Sequence, residues 1–389
     1  MTTSPTDRSV PATEAGIPDI RIPPELLPGD GRFGSGPSKV RSEAVDALAA
    51  SNPRYLGTSH RKAPVRNMVG RIREGMGELF GLPDGYEVVL GNGGAALFWD
   101  VAVFSLIARR SQHLVFGAFS SSFAAAVRGA PHLETPMVVD APFGSAPDPR
   151  PEPGIDAYAL THNETSTGVA MPVRRPAGAE DKALVLVDAT SAAGGMPVDP
   201  GQFDVYYFSP QKCFGSDGGL WIALCSPAAL ERVERLAAAD RHVPRSLSLG
   251  LALENARANQ TWNTPGLATL FLLADQLDWL LGKGGLEWSS ARCEESAAIL
   301  YGWAEKSDYA TPFVSDPARR SPVVGTVDLE PGVDAAVVGA VLRANGVVDT
   351  DAYRSLGRNQ IRVAMFPNVE PADVELLTRA VDHVVAALG

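Results

Sequence analysis

The hydrophobic residues of this chain fall into short continuous runs that alternate with helical patterns from about residue 32 onward. Seven runs have the length and composition of strands: "YEVVL" (86–90), "HLVFG" (113–117), "PMVVD" (136–140), "AYALT" (157–161), "ALVLVD" (183–188), "VYYFS" (205–209) and "LWIAL" (220–224). Continuous rather than alternating apolar runs are typical of strands buried on both faces. The pattern therefore predicts an α/β fold with a mostly parallel, seven-stranded sheet.

Two further features of the pattern concern this sheet and its helices. Apolar residues between positions 65 and 80 recur at helical spacing, which predicts an amphipathic helix. The turn "PQKCFGSDGG" (210–219) leaves too few residues for the crossover that joins two parallel strands. We therefore expect one antiparallel strand in the sheet.

The C-terminal part of the chain has an alternation of its own. A long apolar helix begins after Pro265, and a second helix extends to about residue 305. The remainder alternates strand, helix, strand and helix, at 323–329, 334–345, 361–366 and 371–388. This order predicts a large domain at 31–275 and a smaller α/β domain at 276–389. Residues 1–30 are rich in Pro, Thr and Asp without periodicity, which predicts a disordered or loosely docked arm.

Composition narrows the classes of function. The 389 residues include 45 acidic and 34 basic side chains, and the net charge of −11 argues against nucleic acid as a partner, because phosphate binding needs basic patches. The three cysteines, Cys213, Cys225 and Cys293, do not have the number or spacing of a disulfide framework or a metal site, which fits a reducing cytoplasm. No apolar run approaches the ~20 residues of a membrane-spanning helix, so we expect no membrane association.

Candidate chemistry lies at four predicted strand ends, where open parallel sheets bind their ligands. The glycine-rich "GNGGA" (91–95) precedes a helix, and such a turn can present free N–H groups to a phosphate. The segment "HNETSTG" (162–168) offers Thr165, and Asp188 and Lys212 follow two further strands. Taken singly, these features have structural alternatives: a tight turn, a capping turn, an ion pair, or a lysine whose tip reaches the surface.

Together the four features describe one ligand, with a phosphate, a ring nitrogen that pairs with Asp188 and a carbonyl that condenses with Lys212. That ligand is pyridoxal phosphate, whose expected protein groups are a Schiff-base lysine and an acidic partner of the ring nitrogen. A lysine in a partly desolvated site loses its proton more easily, so Lys212 can also act as general base and acid at the substrate α-carbon.

At these residues the sequence resembles the phosphoserine aminotransferases, which are class V, fold type I pyridoxal-phosphate enzymes. The resemblance extends from Arg32 to Leu388. Within the family, the sequence is most similar to the actinobacterial-type branch. It is carried by "FGSGPSKV" near the start, "GTSHR" (57–61), "GNGGA", "HNETSTG", "VDATSAAGG" (187–195), "SPQKCF" (209–214), "WNTP" (262–265) and "NQIRVAMFP" (359–367). It implies reversible amino transfer between O-phospho-L-serine with 2-oxoglutarate and 3-phosphohydroxypyruvate with L-glutamate, in serine biosynthesis, and some members also serve pyridoxine biosynthesis.

The resemblance also implies roles for single residues. Lys212 and Asp188 are the implied catalytic residues. The implied cofactor contacts are Gly94 and Ala95 at the phosphate, Phe119 on the ring face, Thr165 at the ring hydroxyl, Gln211 beside the lysine, and Asn263 and Thr264 at the phosphate of the neighbouring subunit's cofactor. The implied substrate contacts are His60, Arg61 and Arg362. Because Asn263 and Thr264 act across subunits, the resemblance implies a homodimer with shared active sites and small amino-acid and 2-oxo-acid substrates.

One position departs from the pattern, and other functions compete with this one. Other branches carry an arginine that binds the substrate phosphate where this chain has Ala95; Arg354 and Arg358 are candidates to replace it. The near alternative is another class V transaminase, acting on serine or alanine with glyoxylate. A desulfurase needs a reactive cysteine on a mobile loop, and Cys213 beside Lys212 is poorly placed for that role. A nucleotide-binding protein using "GNGGA" is a more distant alternative, because the chain lacks the usual nucleotide-binding patterns.

Overall fold

The computed structural model describes residues 17–52, 54–239 and 241–389. Twelve strands occur in these residues: β1 (Glu87–Asn92), β2 (Ser111–Val115), β3 (Met137–Asp140), β4 (Ala157–Thr161), β5 (Asn163–Glu164), β6 (Val169–Ala170), β7 (Leu184–Asp188), β8 (Val205–Phe208), β9 (Leu220–Cys225), β10 (Ala310–Pro312), β11 (Val324–Leu329) and β12 (Gln360–Ala364). All seven strands predicted for the large sheet are present, displaced by at most two residues at either end.

Ten α-helices accompany the strands in the described ranges: α1 (Ser42–Ser51), α2 (Ala63–Leu79), α3 (Ala95–Ser105), α4 (Ala118–Arg128), α5 (Pro227–Ala237), α6 (Leu249–Arg257), α7 (Leu267–Lys283), α8 (Gly285–Ala304), α9 (Ala335–Ala344) and α10 (Pro371–Leu388). The amphipathic helix expected between 65 and 80 is α2. No helix in the described part of the chain has both the length and the apolar character needed to cross a bilayer.

The main sheet has seven strands in the order β1-β9-β8-β7-β4-β2-β3. The pairs β8/β7, β7/β4, β4/β2 and β2/β3 are parallel, whereas β9 is antiparallel to both β1 and β8. The prediction of a mostly parallel, seven-stranded sheet with one antiparallel strand is therefore confirmed. The parallel strands β4, β7 and β8 end at the same edge, so the residues that follow them lie close together.

The sheet is buried on both faces because helices cover each of them. Along β7, Leu186 belongs to one hydrophobic cluster and Val187 to the other, and both side chains are fully buried. Tyr206 and Tyr207 of β8 divide between the same two clusters. Successive side chains of a strand point to opposite faces, so a strand between two helical layers needs apolar residues at every position. This explains the continuous runs in the sequence.

A second, three-stranded antiparallel sheet lies in the C-terminal part, in the order β10-β11-β12. The helices α8, α9 and α10 contribute with it to a third hydrophobic cluster. Strands β11 and β12 correspond to the predicted runs, whereas β10 was missed because its three residues, which include Pro312, form no readable pattern. Helix α7, which contains the predicted boundary at 275/276, packs against α2, and α8 packs against α10. The division into domains at that position stays a prediction.

Within residues 17–30 of the predicted arm, Ile20, Ile22, Leu26 and Leu27 pack in the third cluster. The arm's residues 1–16 lie outside the described residues. Ile22 is buried in the third cluster and its N–H donates to Asn345 Oδ1 at 3.1 Å. The Gly29 N–H donates to Asp373 Oδ1 at 2.7 Å. The chain then continues towards the edge of the main sheet, where Ser38 Oγ donates to the Lys212 carbonyl oxygen at 2.6 Å. The N-terminal segment thereby links the small sheet to the large one.

Replacing Gly91 with alanine tests how closely β1 and β9 approach each other. A Cβ atom at Gly91 would overlap the indole ring of Trp221, its register partner on β9, and this ring is buried. We expect Gly91→Ala to lower the free energy of unfolding by about 2 kcal/mol, since a well-packed core resists added atoms. Urea denaturation followed by circular dichroism measures this change.

Gly77→Ala is the matched control, because a Cβ at this position of α2 meets no atom within 4 Å. Alanine is favoured over glycine inside a helix by about 1 kcal/mol, so this variant should be as stable as the original or more stable. Equal stability of the two variants would contradict the proposed overlap at Gly91.

Candidate active site

A cavity of about 450 Å³ opens at the edge of the main sheet where β4, β7 and β8 end and α3 begins. Its lining residues are Gly36, Pro37, Gly94, Ala95, Ala96, Trp99, Phe119, Thr161, Asn163, Thr165, Asp188, Thr190, Gln211, Lys212, Asp217 and Gly218. The cavity brings together seven of the residues predicted from the sequence: Gly94, Ala95, Phe119, Thr165, Asp188, Gln211 and Lys212. Its volume suits a ligand of cofactor size.

Asp188 is the last residue of β7, and its buried carboxylate accepts hydrogen bonds at both oxygens. Oδ1 accepts from the backbone N–H of Thr190 at 3.0 Å and from its hydroxyl at 2.6 Å, and Oδ2 accepts from Trp99 Nε1 at 3.0 Å. Burial raises the pKa of Asp188, and these donors oppose the rise because they stabilise the charged form. The hydrogen bonds therefore orient the carboxylate, while burial makes its charged form unfavourable. A nearby cation would stabilise that charged form.

Lys212 follows β8, and its side chain is 8% exposed. Its ammonium group donates to the carbonyl oxygen of Ser35, and a Cβ atom on the next residue, Gly36, would overlap it. Desolvation, followed by the positive charge of Arg362, lowers the pKa of Lys212 to about 8, while Asp188 partly opposes this shift. An amine with such a pKa is unprotonated in roughly a tenth of molecules at pH 7, far more than an ordinary lysine, which suits a nucleophile and a proton carrier.

The start of α3 forms one wall of the cavity. Gly94 is the N-cap and no side chain caps the helix, so the first N–H groups have no partner within it. Gly94, Ala95 and Ala96 all line the cavity. A helix N-terminus of this kind favours an anion, because N–H groups and the helix dipole both point towards it.

Phe119 lies in the first turn of α4, and a buried carboxylate holds this turn in place. Glu164 accepts from the backbone N–H and the hydroxyl of Ser120, each at 2.9 Å, and from the hydroxyl of Ser166 at 2.6 Å. The Phe119 ring centre lies 5.6 Å from that of Tyr353, and the guanidinium of Arg362 lies 5.3 Å from the same Tyr353 ring. Tyr353 thereby connects a ring at the cavity wall to an arginine of the C-terminal sheet.

Unsatisfied polar atoms also point to a ligand. Thr165 Oγ1 and Asn163 Nδ2 donate to Ser191 Oγ, at 2.7 and 2.8 Å. By contrast, Asn163 Oδ1 and Gln211 Oε1 are buried without a hydrogen-bond partner among the described residues. Buried polar atoms are nearly always paired, so two unpaired acceptors in one cavity indicate that a polar ligand completes the site.

The other five predicted residues lie outside the cavity lining of this chain. His60 Nδ1 and Thr264 Oγ1 are 3.0 Å apart, and Asn92, at the end of β1, donates to the Thr264 carbonyl oxygen at 3.0 Å. Arg61 donates to Gln260 Oε1 at 3.0 Å, and the backbone N–H of Asn263 donates to Asn92 Oδ1 at 3.3 Å. His60, Asn263 and Thr264 therefore form one group, joined through Asn92 to the strand that leads into the glycine-rich loop, whereas Arg61 bonds Gln260 instead.

Arg362 of β12 takes a different place. It donates to the Thr165 carbonyl oxygen at 3.4 Å, and its Nε is buried without a partner among the described residues. Desolvation lowers the pKa of Arg362. A mostly buried guanidinium that has no carboxylate partner within the described part of the chain is suited to bind one from a ligand.

Comparison with known proteins assigns the family. The profile of the family described as Aminotransferase class-V matches residues 152–356. A phosphoserine aminotransferase of a Nocardioides species is 62% identical over 367 residues, which cover 94% of this chain and 98% of that relative. The chain belongs to the class V aminotransferase family.

Solved structures agree with this assignment. The structure of a phosphoserine aminotransferase from Cytophaga hutchinsonii matches this aminotransferase with a TM-score of 0.83 and 26% identity, over 91% of this chain and 99% of that one. An alanine–glyoxylate aminotransferase from a Nostoc species matches with a TM-score of 0.75 and 20% identity, over 94% and 98% of the two chains. The fold type I architecture expected from the sequence is confirmed. The fold is shared by aminotransferases with different substrates, so it does not select the substrate.

Three residues that shape the site of this aminotransferase could not be predicted from the sequence: Trp99, Glu164 and Tyr353. Glu164 stands inside the quoted motif "HNETSTG", but nothing in that motif shows that its carboxylate caps the first turn of α4. Trp99 and Tyr353 lie in segments whose partners are distant in sequence, so no spacing rule identifies them. The roles assigned to the predicted residues remain predictions.

The lowered pKa of Lys212 can be measured in the cofactor-free protein. We expect the amine to react with acetic anhydride with a midpoint near pH 8, well below the ordinary lysine value of about 10.4. Arg362→Gln removes a positive charge that disfavours the ammonium form, so the midpoint should rise. Mass spectrometry of the peptide that contains Lys212 gives the extent of labelling at each pH.

Arg358→Gln provides the control for loss of an arginine. The Arg358 guanidinium pairs with Asp328, with Nε 3.1 Å from Oδ1. Arg358 is not among the groups that shift Lys212, so this variant should leave the midpoint unchanged. A wild-type midpoint above pH 10 would show that the cavity does not desolvate Lys212.

Proposed function

We propose that this aminotransferase is a phosphoserine aminotransferase that uses pyridoxal phosphate. It exchanges amino groups between O-phospho-L-serine with 2-oxoglutarate and 3-phosphohydroxypyruvate with L-glutamate, and thereby serves serine biosynthesis. The observation that carries the chemistry is the placement of Lys212 and Asp188 in one buried cavity beside an uncapped helix N-terminus. The choice of substrate is supported by the 62% identity with the Nocardioides phosphoserine aminotransferase over nearly the whole of both chains.

The cavity fits the cofactor by the chemistry of its donor set. Gly94 and Ala95 would hold the phosphate with backbone N–H groups, and Asp188 would pair with the ring nitrogen. Thr165 would contact the ring hydroxyl, Gln211 would lie beside the lysine, and Phe119 would stack on the ring. The two unpaired acceptors, Asn163 Oδ1 and Gln211 Oε1, indicate that the cavity is complete only with a polar ligand.

When bound, pyridoxal phosphate draws electrons from the substrate α-carbon and makes its proton acidic. Lys212 would hold the cofactor carbonyl until an amino acid replaces it. Its freed amine would then take the proton from the α-carbon and return a proton on the cofactor side. A pKa of about 8 lets the same nitrogen accept and donate a proton near neutral pH. The charge on Asp188 would keep the ring nitrogen protonated throughout.

Substrate recognition would come from basic residues outside the cavity lining. Arg362 would bind the α-carboxylate, which its unpaired Nε supports. His60 and Arg61 would help hold the distal phosphate. Of the two candidates to replace the arginine missing at Ala95, Arg358 is already paired with Asp328, whereas Arg354 is exposed and has no ion pair within the described ranges. We therefore assign the second phosphate contact to Arg354, which follows Tyr353 directly.

We also propose that the enzyme is a cytoplasmic homodimer with shared active sites. Asn263 and Thr264 lie outside the cavity of their own chain, so a role at a cofactor phosphate would be exercised in the neighbouring subunit. The cysteines Cys213, Cys225 and Cys293 are all free and buried. Free thiols of this kind fit a reducing compartment.

A half-reaction assay tests the choice of substrate. The enzyme loaded with pyridoxal phosphate is mixed in turn with phosphoserine, serine, alanine and glutamate, and the visible absorption of the cofactor is followed. We expect phosphoserine and glutamate to convert the cofactor at least about a hundredfold faster than alanine, because a site with paired basic groups rejects substrates that leave them unpaired. Rapid conversion by alanine without a response to phosphoserine would favour the alternative class V transaminase.

Lys212→Ala serves as the control for this assay. The variant should bind cofactor without the covalent bond to the chain and convert it with no amino acid at a measurable rate. Conversion that persists without the Lys212 amine would exclude the proposed chemistry.

Arg354→Gln tests the assignment of the second phosphate contact. Loss of a charge-assisted hydrogen bond should raise the KM for phosphoserine by roughly tenfold or more. The slow half-reaction with alanine, which has no distal anion, should be unchanged. Arg358→Gln is the matched control. It should leave the KM for phosphoserine and the rate of the alanine half-reaction near the wild-type values. An unchanged KM for phosphoserine in Arg354→Gln would remove Arg354 from the site.

A further inference from the structure

The indole of Trp99 is placed to act on the carboxylate that pairs with the cofactor. Thr190 supplies both hydrogen bonds that Asp188 Oδ1 accepts, and both come from the loop that directly follows β7. Oδ2 accepts from Trp99 Nε1 at 3.0 Å, and the buried Tyr207 hydroxyl lies close to the same carboxylate. Trp99 lies 89 residues away in the sequence, on α3, the helix whose N-terminus lines the cavity and is proposed to hold the cofactor phosphate.

The indole packs against a neighbouring helix. Its ring is nearly parallel to that of Phe123 of α4, with an interplanar angle of 15° and ring centres 6.3 Å apart. Phe123 is buried and also packs edge-on against Tyr207 of β8. The half-buried Trp99 side chain therefore packs against α4, donates to Asp188 at the sheet edge and lines the cavity. The ring packing and the hydrogen bond together favour one direction for this donor.

We propose that Trp99 is a positioning residue for the amino-transfer reaction: its N–H orients Asp188 Oδ2 and stabilises the carboxylate as the partner of the cofactor ring nitrogen. This inference rests on the proposed function, since it concerns the bound cofactor. Trp99 also couples the two ends of the cofactor site, because one rigid helix carries the N–H groups of the phosphate wall and the donor to Asp188. A shift of α3 would then move both contacts together.

The electrostatics of the surroundings make this donor consequential. Asp188 is buried, and the titratable groups around it are Lys212 across the cavity and two tyrosines of β8, its register partner Tyr207 and Tyr206. Burial and then the charge of Asp188 raise the pKa of Tyr207, so this neighbour stays neutral. A hydrogen bond to a buried charged group is worth more than one between neutral groups. Loss of the indole N–H therefore weakens the carboxylate's hold on a protonated ring nitrogen.

Trp99→Phe removes the donor and keeps an aromatic ring against Phe123. In the holoenzyme, the visible band of the cofactor attached to Lys212 changes with pH, and the midpoint reports the pKa of the attached nitrogen. With less positive charge retained on the ring, that nitrogen holds its proton more tightly. We expect the midpoint to move upward by about half a unit to one unit. We also expect kcat to fall roughly tenfold or more, while KM for phosphoserine stays within about twofold.

Trp221→Phe is the control for loss of an indole as such. Trp221 is buried on β9 against Phe98 and makes no hydrogen bond to Asp188. It should lower thermal stability without moving the spectral midpoint. If Trp99→Phe does not accumulate as folded protein, replacement of Trp99 by benzothienylalanine, which keeps the ring shape and lacks the N–H, carries the same expectation.

The outcomes separate a positioning role from packing. A raised midpoint with a lower kcat, in either Trp99 replacement, supports the proposal. Lost stability or weaker cofactor binding with an unmoved midpoint shows that Trp99 only packs, and it overturns the proposal. A wild-type holoenzyme that shows no cofactor band attached to Lys212 would remove the proposed function itself, and this result is distinguishable because it appears before any substitution.

Discussion

The candidate active site depends on the burial of two groups that can carry opposite charges, the Lys212 amine and the Asp188 carboxylate. Each is destabilised in its charged form by burial, which lowers the pKa of the lysine to about 8 and raises that of the aspartate. Neither shift would persist without a surrounding frame, since a flexible site would admit water and relax. The frame consists of hydrogen bonds from Thr190 and Trp99 to the carboxylate, and of the Ser35 carbonyl oxygen that accepts from the amine.

The fold supplies this frame by bringing segments from distant parts of the chain to one sheet edge. Parallel pairing of β7 and β8 places the residues that follow these two strands side by side. The next strand, β9, is antiparallel to β8, and a short turn without a helix connects β8 to β9. The N-terminal segment then closes over the lysine, with Ser38 bound to the Lys212 carbonyl oxygen. The same segment is anchored on the C-terminal sheet through Ile22. We therefore expect a movement of the C-terminal sheet relative to the large sheet to shift the N-terminal segment that contacts Lys212.

Much of this arrangement could be predicted because burial on both faces imposes a simple rule on strand sequences. The runs "ALVLVD" and "VYYFS" predicted β7 and β8, and their buried polar neighbours indicated Asp188 and Lys212. Short elements such as β10 carry too few residues for a pattern. Trp99 and Tyr353 could not be predicted, because their contacts arise where helices and the C-terminal sheet dock. The residues suited to the cofactor can therefore be recognised at the ends of strands. The residues that contact them, such as Trp99 and Tyr353, become visible only in the tertiary structure.

The same contrast explains why substrate selection is harder to derive than cofactor chemistry. The residues suited to the cofactor line a cavity at the edge of the main sheet. Aminotransferases of different specificity share the fold that contains this sheet. Arg362 and Tyr353, by contrast, belong to the C-terminal part, and His60 and Arg61 lie in the segment before α2. With alanine at position 95, the described residues at the start of α3 bring no side-chain cation to the cavity, so we expect these outer segments to meet the distal anion. Because loops and a separately packed sheet can change without disturbing Lys212 or Asp188, specificity can diverge while the chemistry stays intact.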